Sequence, residues 1–139
     1  MSTPRGVRNN NPGNIDYNKA NKWQGQLPPN PALETRFARF DKPENGIRAL
    51  TKLLLAYQSK HGLKTVKSII NRWAPSVEND TDAYVRAVEL NTGTNPGAEI
   101  NLRDPAVMKG FVRAIIRHEN AGFEYPKHII DEGVRRGLE

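Results

Sequence analysis

The chain has 139 residues and no cysteine, and it carries 21 Lys and Arg against 15 Asp and Glu, a formal charge of +6. This length suits one domain with a substantial core, and the missing thiols exclude disulfides, a cysteine nucleophile and Cys-ligated zinc. Mean hydropathy is −0.70, and no apolar run approaches the ~18 residues of a membrane-spanning helix, which argues against membrane insertion.

From the N-terminus, Met1 to Arg8 reads as a loose tail. Met1 to Asn14 is polar and basic and lacks the apolar segment of a secretion signal. The expected product is made in a bacterial cytoplasm, and a target outside it requires delivery by a holin, a virion or a secretion machine. Asn9 to Pro31 is rich in Asn, Gly and Pro, the signature of turns, with Ile15, Tyr17 and Trp23 anchoring short extended pieces. Arg36-Phe37-Ala38-Arg39-Phe40 reads as a short strand. The expectation is a small, ragged β-lobe of two or three strands.

Helices follow. Pro43-Glu44 starts one whose stripe is Ile47, Leu50, Leu54 and Tyr57, stopped at His61-Gly62. Thr65 caps a second, with Val66, Ile69, Ile70 and Trp73, ended by Pro75. Asp80 or Thr81 caps a third, with Tyr84, Val85 and Val88, ended near Gly93. Asp104-Pro105 opens a fourth, in which Met108, Phe111, Val112, Ile115 and Ile116 recur at helical spacing. Pro126 opens a fifth, with Ile129, Ile130 and Val134. The pattern predicts a single α+β domain, mainly helical, with a small N-terminal β-lobe.

Glu119 is the leading candidate for chemistry. It lies at i+4 from Ile115 and i+7 from Val112, so it shares the apolar stripe, and Asn120 and Gly122 supply the helix stop. A carboxyl at the edge of a core and at the negative end of a helix dipole is expected to hold its proton more tightly. Such a group suits general-acid cleavage of a glycosidic bond. The alternative is a helix-end glutamate paired with a nearby arginine, such as Arg113 or Arg117, or simply solvated. Arg5 to Ile15 is either a set of Asx turns or a cleft wall whose amide side chains meet sugar hydroxyls and N-acetyl groups. Trp73 reads more readily as core than as a ligand-stacking ring; Glu78, Asp80 and Asp82 read as helix-start acids. Tyr84 suits either the core or a groove. Among Glu34, Asp16, Asp41 and Glu44, Glu34 is the best candidate for a second catalytic carboxylate. The three histidines fall at no metal-ligand spacing, and neither a metal nor another cofactor is expected. The basic residues are spread rather than gathered in one tract, which argues against nucleic acid as the partner.

These residues also carry a resemblance. Arg8-Asn9-Asn10-Asn11-Pro12-Gly13-Asn14-Ile15, Trp23-x-Gly25, Arg36-Phe37-x-x-Phe40, Gly46-Ile47-Arg48-Ala49-Leu50, Ile70-x-Arg72-Trp73-Ala74-Pro75 and Glu78-Asn79-Asp80-Thr81-x-x-Tyr84 resemble a family of phage and prophage virion-associated or endolysin-like proteins. More distantly, the order of pieces is similar to cell-wall N-acetylglucosaminidases and related lysozyme-fold enzymes. In those, the helix ending in the catalytic glutamate precedes the Asn-rich block. Here its counterpart, His118-Glu119-Asn120-Ala121-Gly122, comes last. The resemblance implies a circularly permuted lysozyme-like fold, with Glu119 as the acid and Asn14 and Tyr84 as groove residues. It extends the expected substrate-binding set to Asn11, Tyr17, Trp23, His118 and Asn120. The expected function is cleavage of peptidoglycan glycan strands by a monomer, as a muramidase, glucosaminidase or lytic transglycosylase. The alternatives are a non-enzymatic virion structural or wall-binding protein and a basic nucleic-acid-binding domain.

Overall fold

The computed structural model describes residues 3–74 and 80–139. Within them the helices are α1 (Arg5–Arg8), α2 (Pro43–His61), α3 (Val66–Trp73), α4 (Thr81–Thr92), α5 (Pro105–Glu119) and α6 (Lys127–Leu138). The protein is mainly helical.

Most helix ends fall where capping chemistry places them. Pro43 stands at the start of α2, and Gly62 ends that helix in the left-handed region at φ 64°. Thr65 and Ser68 form a reciprocal capping box at α3. Asp80 accepts from the Ala83 amide at the start of α4, and Gly93 closes that helix at φ 68°. Asp104 caps α5 through the Ala106 amide at 2.9 Å. Pro75, the expected stop of α3, and Glu78 lie outside the described residues.

The apolar stripes meet in one core, in which Ile47, Leu50 and Leu54 of α2, Ile69 and Ile70 of α3, Tyr84 and Val88 of α4, and Phe111, Val112 and Ile115 of α5 are all fully buried. α2 packs along α6, and α5 packs against α4. Gln58 ties the connection before α5 to α2. Its amide donates to the carbonyls of Leu63 and Ile100, and its oxygen accepts from the Leu102 amide at 2.8 Å.

Two expectations near the N-terminus are corrected. Arg5 to Arg8, expected to belong to a loose tail, instead form α1, with Gly6 buried and Arg5 bonded to Glu34. The expected β-lobe is reduced, among the described residues, to the isolated antiparallel bridges Asp16↔Phe37 and Gln26↔Phe40. The physical reason is that side chains take over the work of a ladder. The buried Asn11 amide donates to the carbonyls of Ile15 and Ala38, and its oxygen accepts from the Ile15 amide. Pro28, Pro29 and Pro31 have no N–H to extend a strand.

Candidate active site

The Asn-rich block is built residue by residue to meet the C-terminal end of α5. Asn11 holds the loop closed, as described above. The Pro12 carbonyl accepts from the Asn120 amide at 2.7 Å, and the same amide caps α5 by donating to the Ile116 carbonyl at 2.9 Å. Gly13 lies so close to Leu50 and Trp73 that a Cβ there would sit 3.1 Å and 3.3 Å from their side chains. Asn14 takes the left-handed conformation at φ 50°, which asparagine tolerates better than most residues. Its amide thereby reaches Glu119 Oε1 at 3.3 Å, across 105 residues of chain.

Glu119 is half-buried at the last turn of α5. Its second oxygen, Oε2, accepts from the Tyr84 hydroxyl at 3.1 Å. Tyr84 is fully buried on α4 and in turn accepts from Trp73 Nε1 at 3.2 Å. Burial, then the neighbouring Glu119 carboxylate, push the Tyr84 hydroxyl well above its ordinary range, so it remains a neutral donor at every working pH. His118 stacks on the Tyr84 ring at 3.7 Å between centroids. Both carboxylate oxygens are therefore oriented by neutral donors, and among the described residues no cation lies within ion-pairing distance of Glu119. The expected alternative of an arginine partner is not realised. Arg117 instead pairs with Asn91 and with Glu124 at 3.5 Å.

A groove of about 710 Å³ opens over this carboxylate. Its N-terminal wall includes Asn14, Asp16, Asn18, Asn21, Arg36 and Phe37; its helical wall includes Leu53, Tyr57, Trp73 and Glu119. Asp16, exposed, accepts from Arg36 Nε at 2.7 Å. Among the described residues, no group of three or more His, Asp and Glu side chains is arranged to hold a metal ion.

The structure thus brings together Glu119, Asn14, Tyr84 and His118 from the expected set and distributes the others elsewhere. Asn11 and Asn120 are buried and spend their amides on backbone carbonyls, so they build the groove rather than face it. Tyr17 lies beside Pro28, Pro29 and Pro31 on a separate depression, and Trp23 packs against the core.

Glu34 is the clearest departure from expectation. Its side chain is 1% exposed and accepts from Arg5 Nε at 2.9 Å and Arg5 Nη2 at 2.5 Å, Asn9 at 2.9 Å, and the Arg36 and Phe37 amides at 2.8 Å each. Arg5 first, with the amides and Asn9 adding to it, holds this carboxyl far below the usual range despite its burial. It is a structural clamp away from the groove and has no lone pair left for a nucleophile's or base's work.

Sequence reasoning did not find Tyr57, Asn18, Asn21 or Phe37 as groove residues, and it favoured a core role for Trp73. Tyr57 and Trp73 continue apolar stripes. The one available signal was that each ends its stripe with an amphipathic ring, which suits a boundary between core and water.

No known family profile matches the chain. Over 137 residues it is 37% identical to Protein P5 of Pseudoalteromonas phage PM2, an alignment that covers 96% of this chain and 82% of that protein.

Proposed function

The chain belongs to the family of Protein P5 of Pseudoalteromonas phage PM2, and from the groove around Glu119 we propose that it cleaves the glycan strands of peptidoglycan, with Glu119 as general acid. One observation carries the reading: a half-buried carboxyl on the floor of an open groove, held on both oxygens by Asn14 and Tyr84 and free of any cation within pairing distance among the described residues. A carboxyl kept for structure is ordinarily saturated by cations and backbone amides, as Glu34 is.

The glycan lies along the groove with the scissile oxygen over Glu119. Glu119 gives its proton to that oxygen as the bond breaks toward an oxocarbenium-like state. The carboxylate left behind takes a proton from the incoming hydroxyl, either the substrate's own muramyl hydroxyl or a water. A single glutamate serves both steps in turn. Among the described residues Asp16 is the other carboxylate on the groove wall, and its pairing with Arg36 favours a role in binding over one in bond formation. Asn14, Asn18 and Asn21 provide amides for hydroxyl and acetamido groups.

The same reading takes the fold as a permuted lysozyme-like one. The meeting of Asn14, Tyr84 and Glu119 supports it, because these are the three positions that the permutation has to bring together. It acts as a monomer on the bacterial wall, delivered as a virion component or released at lysis.

The test is digestion of purified sacculi by wild type and Glu119→Gln, with mass spectrometry of the released fragments. Wild type is expected to release soluble muropeptides, and the variant to lose on the order of 10³-fold in rate while keeping its circular dichroism and melting temperature. Anhydro-muramyl ends identify the intramolecular route, and reducing ends identify hydrolysis. Sacculi that bind the wild type but yield no fragments would establish a wall-binding role and overturn the enzyme.

A further inference from the structure

Arg72 stands apart from the other charged residues near the groove. It is exposed on α3, directly before the groove-lining Trp73, and its guanidinium carbon sits 5.3 Å from the ring centroid of Tyr57, which also lines the groove. Among the described residues no carboxylate pairs with it. On the N-terminal wall, by contrast, Arg36 is engaged by Asp16 at 2.7 Å. Tyr57 is itself held in place, half-buried on α2 with the ring of His61 at its edge, 6.5 Å between centroids. Its α3 neighbours are fixed by the Thr65–Ser68 capping box at one end and by the Thr81 hydroxyl on the Ala74 carbonyl, 3.0 Å, at the other.

A guanidinium resting on an aromatic face is oriented without using its N–H groups, which point outward in the plane of the fork. That arrangement is matched to a carboxylate, which takes two parallel N–H bonds. The part of the Tyr57 ring that the guanidinium leaves uncovered lines the groove and offers a pyranose an apolar contact.

We propose that Tyr57 and Arg72 form a subsite for a carboxylate-bearing sugar of the glycan strand, the groove-facing part of Tyr57 making an apolar contact with the sugar and Arg72 taking the carboxylate. The inference rests on the reading of the groove as a peptidoglycan site and adds to it a preference for acidic over neutral glycans. The lactyl carboxylate of muramic acid supplies that chemistry, whereas an oligomer of N-acetylglucosamine alone does not.

The experiment measures binding by calorimetry in the Glu119→Gln background, where turnover does not interfere. The two probes are a neutral N-acetylglucosamine tetrasaccharide and a peptide-free tetrasaccharide alternating N-acetylglucosamine with N-acetylmuramic acid. The acidic probe is expected to bind about tenfold more tightly, the size of one charge-assisted contact. Arg72→Ala is expected to bring the two affinities together, Arg72→Lys to keep part of the margin, and Tyr57→Ala to weaken both probes. Equal affinities before mutation, a margin that survives Arg72→Ala, or binding of neither probe would overturn the subsite. Failure of the enzyme reading is separate. A wild type that releases no muropeptides yet keeps an Arg72-dependent margin sinks the catalytic role of Glu119 and supports the subsite.

Discussion

Glu34 and Glu119 carry the same functional group into different surroundings, and the proposed roles rest on that difference. Glu34 is surrounded by a guanidinium, an amide side chain and two backbone N–H groups, so its negative charge is fixed. Removing that charge leaves buried donors without a strong acceptor. Glu34→Gln is therefore expected to cost about 2 kcal/mol in urea unfolding at pH 7. The pH dependence follows from its depressed carboxyl. The unfolded chain takes up the proton near pH ~4.3, whereas the folded chain resists it to much lower pH. The stabilisation is complete above about pH 5 and drains away as the pH falls toward about 2. The gap between wild type and Glu34→Gln should close over that window; a gap constant with pH would refute the clamp. Tyr84 acts on Glu119 through orientation. Tyr84→Phe removes the donor to Oε2 and the acceptor of Trp73. It is expected to lower kcat about tenfold with little change in KM. An unchanged kcat would mean that Asn14 alone positions the acid.

At the scale of elements, three glycines determine how closely the pieces around α2 approach. A Cβ on Gly133 or Gly137 of α6 would lie 2.5 Å from Ile47 or 2.4 Å from Thr51. A Cβ on Gly46 would meet the Asn10 carbonyl at 1.9 Å. In an exposed helix Gly→Ala is favourable by about 1 kcal/mol. Here overpacking reverses the sign, and Gly133→Ala is expected to destabilise by about 1–3 kcal/mol. Gly46→Ala is expected to cost more, because a backbone carbonyl and not a side-chain tip must move. It should also impair the groove, since Asn10 belongs to the loop that presents Asn14. Thermal melts of the two variants, with sacculus digestion alongside, check both statements. The helices were legible in the sequence because their boundaries are local chemistry: Thr65 with Ser68, Asp80, Asp104 with Pro105, Gly62 and Gly93 act within a few residues. α1 was not, because four residues hold no period and this turn exists through its ion pair with Glu34, 29 positions away. The β-lobe misled for a related reason. Phe37 and Phe40 are extended and bridged, but the backbone groups that would make a sheet are met by Asn10 and Asn11 side chains.

The candidate site belongs to the whole molecule, since Asn14 and Glu119 meet only after nearly the full chain has folded between them. The carboxyl itself was visible from its place in the apolar register. Its groove was not, because the residues that close it, Asn120 on Pro12 and Gly13 against Leu50 and Trp73, act at long range. The surplus charge is also a property of the whole chain. On the proposed reading, a formal +6 would attract an anionic wall polymer from a distance, whereas Arg72 would act only at contact. The two contributions separate in salt. Raising ionic strength from about 0.1 M to about 1 M shortens the screening length from ~10 Å to ~3 Å. KM on intact sacculi should therefore rise about tenfold over that range, because capture of the polymer depends on the long-range field. kcat should hold, since the donors to Glu119 are neutral and the carboxyl is half-buried. Turnover of a short neutral oligosaccharide should be insensitive to the same salt. If KM on sacculi stays constant, recognition is confined to the groove and the basic surface has no part in it.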